Sequence, residues 1–130
     1  MTTKFLLDTH AFIWASSNPV RLSEDTRKLL AQRSNVVLVS AASAWEVATK
    51  TRLGKLDGGQ TILDEWEQAV RSLVATELPV LRTHAIAAGG FDVEHRDRFD
   101  RMLAAQALIE KAVLVTVDPA FKLFPVTTIR

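Results

Sequence analysis

Lys4-Phe5-Leu6-Leu7-Asp8-Thr9-His10, residues 4–10, is the stretch that decides the fold. Phe5, Leu6 and Leu7 form an unbroken apolar run that is too short for a core helix and stops at a carboxylate. A short continuous run of this kind reads as a strand buried on both faces, which is the habit of parallel sheets. Two similar runs follow, at residues 36–39 and 113–117, the second stopping at Asp118. A weaker strand is expected at 77–81, held to an edge by Pro79, and a last apolar stretch at 125–129.

Between these runs the spacing turns helical. Helices are expected at 10–16, at 24–32 with Ser23 as N-cap, and after Ser40 or Ser43 with an end at Gly54. Gly58-Gly59 reads as a loop, followed by helices at 61–73, 83–88 and 100–111, with a polar loop at 92–98. Alternating strands and helices imply an α/β fold with a mainly parallel central sheet covered on both faces. In such sheets sites form outside the carboxyl ends of the strands. Asp8 and Asp118 both stand at such ends.

Residues 1–130 are expected to form a single domain, since a chain of this length buries roughly two-thirds of its unfolded surface. With 48% apolar residues it needs no covalent staple, and with no cysteine it has none. Thiol chemistry and zinc–thiolate sites are excluded. Met1-Thr2-Thr3-Lys4 lacks the layout of a signal peptide, and no apolar stretch is long enough to span a bilayer. The expectation is a cytoplasmic protein with no membrane association. A formal net charge of +1 argues against nucleic-acid binding by overall basicity, yet leaves room for local patches. Two basic clusters stand out, Lys50, Arg52 and Lys55, and Arg96, Arg98 and Arg101. Each reads either as a solvated face or as a track for phosphates.

Four acids carry the chemistry: Asp8, Glu46, Asp100 and Asp118. Carboxylates in apolar surroundings are costly unless compensated, and a divalent cation is a common compensation where several gather. Each also has a plainer reading. Asp8 can cap the helix that follows it, Glu46 can pair with Lys50 one turn on, Asp100 can cap its helix, and Asp118-Pro119 can start a turn. On a helix, however, Asp100 shares a face with Leu103, Ala104 and Ala107, a face that should meet the sheet. All four acids can therefore converge on one end of one sheet. Such a site suits Mg2+, with Mn2+ an acceptable substitute, and leaves coordination positions open for a substrate phosphate. The three histidines show no metal-ligand spacing, with His84 read as surface or core and His10 and His95 as able to approach the site, and Trp45 and Trp66 read as core. Phosphate-binding loops, dinucleotide fingerprints and nucleophile elbows are all missing from the sequence.

Leu6-Leu7-Asp8-Thr9-His10, Ser40-Ala41-Ala42-Ser43-Ala44-Trp45-Glu46-Val47, His95-Arg96-Asp97-Arg98-Phe99-Asp100-Arg101 and Thr116-Val117-Asp118, in that order, resemble a PIN domain. The likeness spans essentially the whole chain and is similar to the VapC-type toxins of bacterial toxin–antitoxin pairs. It implies a three-layer α/β/α fold and a metal-dependent endoribonuclease whose acids fall on Asp8, Glu46, Asp100 and Asp118. It implies Asp8 and Asp100 as direct metal ligands and Thr116 as a small hydroxyl beside the last acid. It also implies a homodimer and a cognate VapB-type antitoxin, with RNA as substrate. One departure is Arg98, where many relatives carry proline; it leaves the backbone less fixed and the role of Asp97 open. Two other readings of the acids are a Mg2+-dependent phosphatase or phosphotransfer domain and a non-catalytic PIN-like binding module.

Overall fold

The computed structural model describes residues 2–130, so Met1 of the N-terminal reading lies outside the described residues. Five strands, β1 (Lys4–Leu7), β2 (Val36–Ser40), β3 (Thr76–Leu78), β4 (Val113–Val115) and β5 (Thr128–Ile129), form one sheet. Its order is β3-β2-β1-β4-β5, and every pairing is parallel. Register places Leu6 beside Leu38 and Leu114, and Leu7 beside Val39 and Val115. Because side chains alternate along a strand, these two rows face opposite ways. Leu6, Leu38 and Leu114 join Leu103, Ala104, Ala107 and Phe121 in one core, and Phe5, Leu7, Val37, Val39 and Val115 join Phe12, Leu22 and Val70 in the other. The strands are apolar on both sides because both sides are covered, so the layers are α/β/α.

Seven α-helices in the described residues supply the cover: α1 (Thr9–Ser17), α2 (Glu24–Ala31), α3 (Ala41–Arg52), α4 (Gly59–Asp64), α5 (Trp66–Ser72), α6 (Arg82–Gly90) and α7 (Arg98–Ile109). Among the described residues no helix is long and apolar enough to cross a membrane. Helix α2 is capped by Ser23, whose hydroxyl accepts from the Thr26 N–H, and carries Glu24 and Asp25 in its first turn, as its sequence requires. Of the two serines offered for α3, Ser40 is the cap, accepting from the Ala42 N–H at 3.0 Å.

Several boundaries differ from expectation for local reasons. The stretch 61–73 is two helices, α4 and α5, meeting at Glu65. Gly59 opens α4 instead of lying in a loop, and a Cβ there would fall 1.9 Å from Thr51 Oγ1 on α3, so only glycine permits this approach. The strand expected at 77–81 spans Thr76–Leu78 and ends before Pro79, which cannot donate to a ladder. Helix α6 runs through Gly89-Gly90 instead of stopping before them. Helix α7 begins at Arg98, two residues early, because Asp97 takes the cap position. It ends at Ile109 because Lys111 turns left-handed (φ 56°) and the Ala112 N–H closes back on the Ala107 carbonyl at 2.8 Å. Strand β4 stops at Val115, and residues 119–123 wind into a 3₁₀ turn capped by Asp118. Only Thr128–Ile129 of the last apolar stretch enters the sheet.

One buried polar group ties the layers at the carboxyl end. Gln106 of α7 is fully buried; its Oε1 accepts from the Ser40 hydroxyl at 2.5 Å, and its Nε2 donates to the Pro79 carbonyl at 3.2 Å. His84 is core, its Nδ1 accepting from the Leu81 N–H at 3.0 Å, which leaves Nε2 to donate to Glu110 at 3.0 Å. Replacing Gln106 by leucine strands the Ser40 hydroxyl and the Pro79 carbonyl. Urea unfolding of Gln106→Leu should show a loss of about 1–3 kcal/mol; a loss below about 0.5 kcal/mol, the ordinary range for surface changes, would mean that this network does not hold the layers.

Candidate metal and active site

The sheet reverses its winding between β1 and β4: strands β1, β2 and β3 step one way, and β4 and β5 lie on the other side of β1. Clefts for ligands open at such a switch point, outside the carboxyl ends of the strands. Asp8 follows β1 at this place and Thr116 follows β4. The Asp8 N–H donates to the Val115 carbonyl at 3.0 Å, closing the two strand ends together.

Asp8 is both a cap and a site residue. Its Oδ1 accepts from the Ala11 N–H at 2.7 Å at the start of α1, and its Oδ2 accepts from the Thr116 hydroxyl at 2.5 Å. The Thr116 oxygen in turn accepts from the Asp118 N–H at 3.0 Å, which aims the hydroxyl proton at Asp8. Asp8 is 7% exposed, and burial raises its pKa above the usual carboxylate range against the lowering effect of these two hydrogen bonds. Asp118 is exposed and caps its turn through the Ala120 N–H at 2.9 Å.

Glu46 is 4% exposed, so the surface reading of this residue fails, yet its partner is the expected one. Lys50 donates to Oε2, and the Thr9 hydroxyl donates to Oε1 at 2.6 Å. Burial alone would lower the Lys50 pKa, but the bond to Glu46 and the nearby Asp97 and Asp100 raise it. Lys50 is thus a fixed cation inside an acidic pocket. Thr9, which sequence reasoning missed, fixes the Glu46 carboxylate from α1; its position directly after Asp8 was the available signal.

Asp100 lies in the first turn of α7 instead of capping it, since Asp97 Oδ1 accepts from both the Phe99 and Asp100 N–H groups, at 2.9 and 3.0 Å. The open role of Asp97 is therefore structural at this oxygen. His95 Nε2 lies 2.8 Å from Asp100 Oδ2. Burial pushes the Asp100 pKa up to about 6, countered by the His95 hydrogen bond and reinforced by the charges of Asp97 and Glu46. His95 and His10, the two histidines expected to be able to approach the site, both do so, His95 through Asp100 and His10 in the cavity lining.

Asp8, Thr9, His10, Glu46, Lys50, Asp97, Asp100 and Asp118 line one cavity of about 100 Å³. The four acids singled out from sequence thus meet, across roughly 110 residues of chain. Among the described residues no three His, Cys, Asp or Glu side chains stand close enough to form a ready-made metal cage. This donor set fits Mg2+ or Mn2+, which are typically held by one or two carboxylates with waters and substrate phosphates completing the shell. Burial is the main cause of the raised pKa at both Asp8 and Asp100, and the Glu46 charge adds to each, so a cation placed here would favour both carboxylates.

The basic clusters divide. Arg101 is not available as a phosphate contact: its guanidinium donates to the carbonyls of Ala88, Phe91, Val93 and His95 at 2.7–3.1 Å, with Gly89 at 3.4 Å, and so holds the loop that carries His95. Lys50 is spent on Glu46. Arg52, Lys55, Arg96 and Arg98 are exposed. Trp66 packs on Phe12 beside the core, centroids 4.5 Å apart, but Trp45 is half exposed and does not belong to the core.

The carboxyl whose pKa is higher in the folded chain than in the unfolded one binds its proton more readily when folded. Its ionised form weighs against folding above the folded value, and that weight lifts as pH falls toward the unfolded value. For Asp100 the window runs from about 6 down to the ordinary 3.8. Without divalent metal, Asp100→Asn should melt above the parent chain at pH 8, and the gap should close as pH approaches 4. A gap that does not change with pH would show that Asp100 carries no such burden.

Comparison with known proteins agrees with this geometry. VapBC2 from Rickettsia felis, solved bound to a DNA fragment from their promoter, has a similar fold, with TM-score 0.69, 17% identity and 98% of each chain covered. FitAcB from Neisseria gonorrhoeae aligns at TM-score 0.61 and 22% identity, over 97% of this chain and 96% of the other. VapBC-1 from nontypeable Haemophilus influenzae aligns at TM-score 0.60 and 17% identity, over 98% and 97%. No curated protein matches the chain in sequence. The model of the family described as PIN domain matches residues 5–126, nearly the whole length over which the five strands and the acidic cleft are built, and the chain belongs to that family.

Proposed function

We propose that residues 1–130 act as one PIN domain with metal-dependent endoribonuclease activity, the toxin of a bacterial toxin–antitoxin pair working in the cytoplasm. The single observation that carries this reading is the convergence of Asp8, Glu46, Asp100 and Asp118 on one cavity at the switch point of the sheet. Asp8 and Asp100 are the proposed direct ligands of Mg2+, or of Mn2+ in its place. When bound, the ion would stabilise charge on the phosphoryl oxygens and acidify water. Glu46, held by Thr9 and Lys50, and Asp118 would orient the attacking water. Thr116 fixes the Asp8 carboxylate, and Asp97 fixes the start of α7. Asp8 has both oxygens engaged by donors, which disfavours its use as a covalent nucleophile in phosphotransfer.

The partners follow from the same reading. A VapB-type antitoxin is proposed from the likeness to VapC-type toxins, and the folds of VapBC2, FitAcB and VapBC-1 fit it. Exposed Leu81, Ile86, Leu108 and Ile109, on and beside the adjoining helices α6 and α7, support a homodimer. Arg52, Lys55, Arg96 and Arg98 are the proposed phosphate contacts around a pocket that would otherwise repel RNA.

Single-stranded RNA should be cut with Mn2+ or Mg2+ and left intact in EDTA. Asp8→Asn should abolish cutting without lowering the melting temperature, because asparagine Oδ1 can still cap α1 and the buried charge is gone. Thr116→Val should weaken Mn2+ binding or activity by about 10–100-fold, the usual effect of removing a group that orients a ligand. Cutting that survives EDTA removes the mechanism. For the basic residues, changing Lys55 and Arg96 together to glutamine should lower the slope of log affinity against log salt by about 1.4, at about 0.7 per contact on single strands. An unchanged slope would return both residues to solvated surface.

A further inference from the structure

Trp45 is the one aromatic side chain among the exposed large apolar residues described, with half of its surface open (50%). It is also fixed in place. Phe99, itself buried, meets the indole edge-on with centroids 4.7 Å apart and planes at 79°. The Arg98 guanidinium carbon stands 5.2 Å from the centroid of Trp45 and 5.0 Å from that of Phe99. Trp45 and Arg98 come from the two helices that form the acidic wall of the pocket. Trp45 directly precedes Glu46 on α3, and Arg98 opens α7 between Asp97 and Asp100.

A rigid, half-open indole with a cation beside it has a defined use. Every nucleobase presents a flat π-face, and single-stranded RNA is bound by stacking its bases on aromatic rings and guanidinium planes. A base inside a duplex offers no free face. We propose that Trp45, with Arg98 beside it, is a stacking platform for one unpaired nucleobase of single-stranded RNA, next to the phosphate that the acidic pocket addresses. The proposal rests on the ribonuclease reading and adds a preference for unpaired RNA with little demand on base identity. Phe99 is the positioning residue that keeps the ring from folding down onto the protein.

The test uses the full chain and an unstructured RNA oligonucleotide, the same oligonucleotide with one abasic nucleotide moved along it, and the fully paired duplex. Binding is measured in the Asp8→Asn background and cleavage with Mn2+ in the parent background. Trp45→Leu should weaken single-strand binding by about 5- to 150-fold, the equivalent of about 1–3 kcal/mol for one stacked base, with the loss in KM more than in kcat. Trp45→Phe should restore most of it. An abasic nucleotide at one position should cost the parent a similar factor and cost Trp45→Leu nothing further. Mn2+ affinity and molecular mass should not move. Equal binding by Trp45→Leu, or equal abasic penalties in both proteins, overturns the platform. So does a loss of binding that appears only as a dimer dissociates, since Trp45 would then be an interface between copies. If the parent neither binds nor cuts RNA, the ribonuclease reading falls and takes the platform with it; cutting that ignores Trp45 sinks the platform alone.

Discussion

Asp8 is held from two sides, and most of the architecture follows from that. One oxygen caps α1 and the other receives the Thr116 hydroxyl at the end of β4. A single carboxylate therefore joins a central strand, the helix after it and the neighbouring strand on the far side of the switch point. These are the three elements that a parallel sheet brings together only where its winding reverses. The backbone bond from Asp8 to Val115 adds a third tie. The cost is a desolvated charge, and burial outweighs both hydrogen bonds in setting its pKa. The fold thus spends stability at the point where it needs a negative oxygen, a trade common at functional sites.

The other carboxylates are managed differently. Glu46 is neutralised by Lys50 and steadied by Thr9, whereas Asp100 has only His95 and is pressed by Asp97 and Glu46. The pocket therefore has one end with its own cation and one end without. Asp8 and Asp100, neither of which has a lysine or arginine bonded to it, are the acids to which the proposed ion is assigned. That asymmetry ranks the acids on physical grounds, independently of any likeness to a family.

The layers were legible in the sequence because strand burial on both faces removes alternation, and Leu6, Leu38 and Leu114 need no partner finer than another apolar row. Caps were legible where a side chain acts on its own helix, as at Ser23. Groups that act across the chain were not. Gln106 looks like an ordinary polar helix residue, and only the fold shows that Ser40 and Pro79 are its partners. Arg101 belongs by sequence to a basic cluster, yet a loop of carbonyls claims it. The break at Glu65 was hidden because the apolar spacing of Ile62, Trp66, Ala69 and Val70 continues across it. The close approach of Gly59 to Thr51, which sets where α4 begins, is a tertiary contact that the local sequence does not show. The acids themselves were found by their positions at element ends, and the resemblance already set Asp8 and Asp100 first, but only the fold shows that Glu46 has Lys50 and Thr9 as partners.

Trp45 shows the same limit from the opposite side. Its neighbours Ala42 and Val47 are buried, so an apolar residue between them reads as core. Helical phase says otherwise: Ala42, Ser43, Glu46 and Val47 occupy the inward stripe, and Trp45 lies a third of a turn or more away from its centre. The inward stripe of α3 therefore includes a carboxylate, and its exposed flank carries a tryptophan ring. That inversion of the usual order is expected where a helix serves a site instead of a core, since burying Glu46 delivers charge to the cavity and leaves the indole on the open flank of the same helix. The Arg98 guanidinium then has two roles open to it, a phosphate contact and a partner for a stacked base. On the proposed ribonuclease reading, both would place RNA along the seam between α3 and α7, beside the carboxylates that those helices carry.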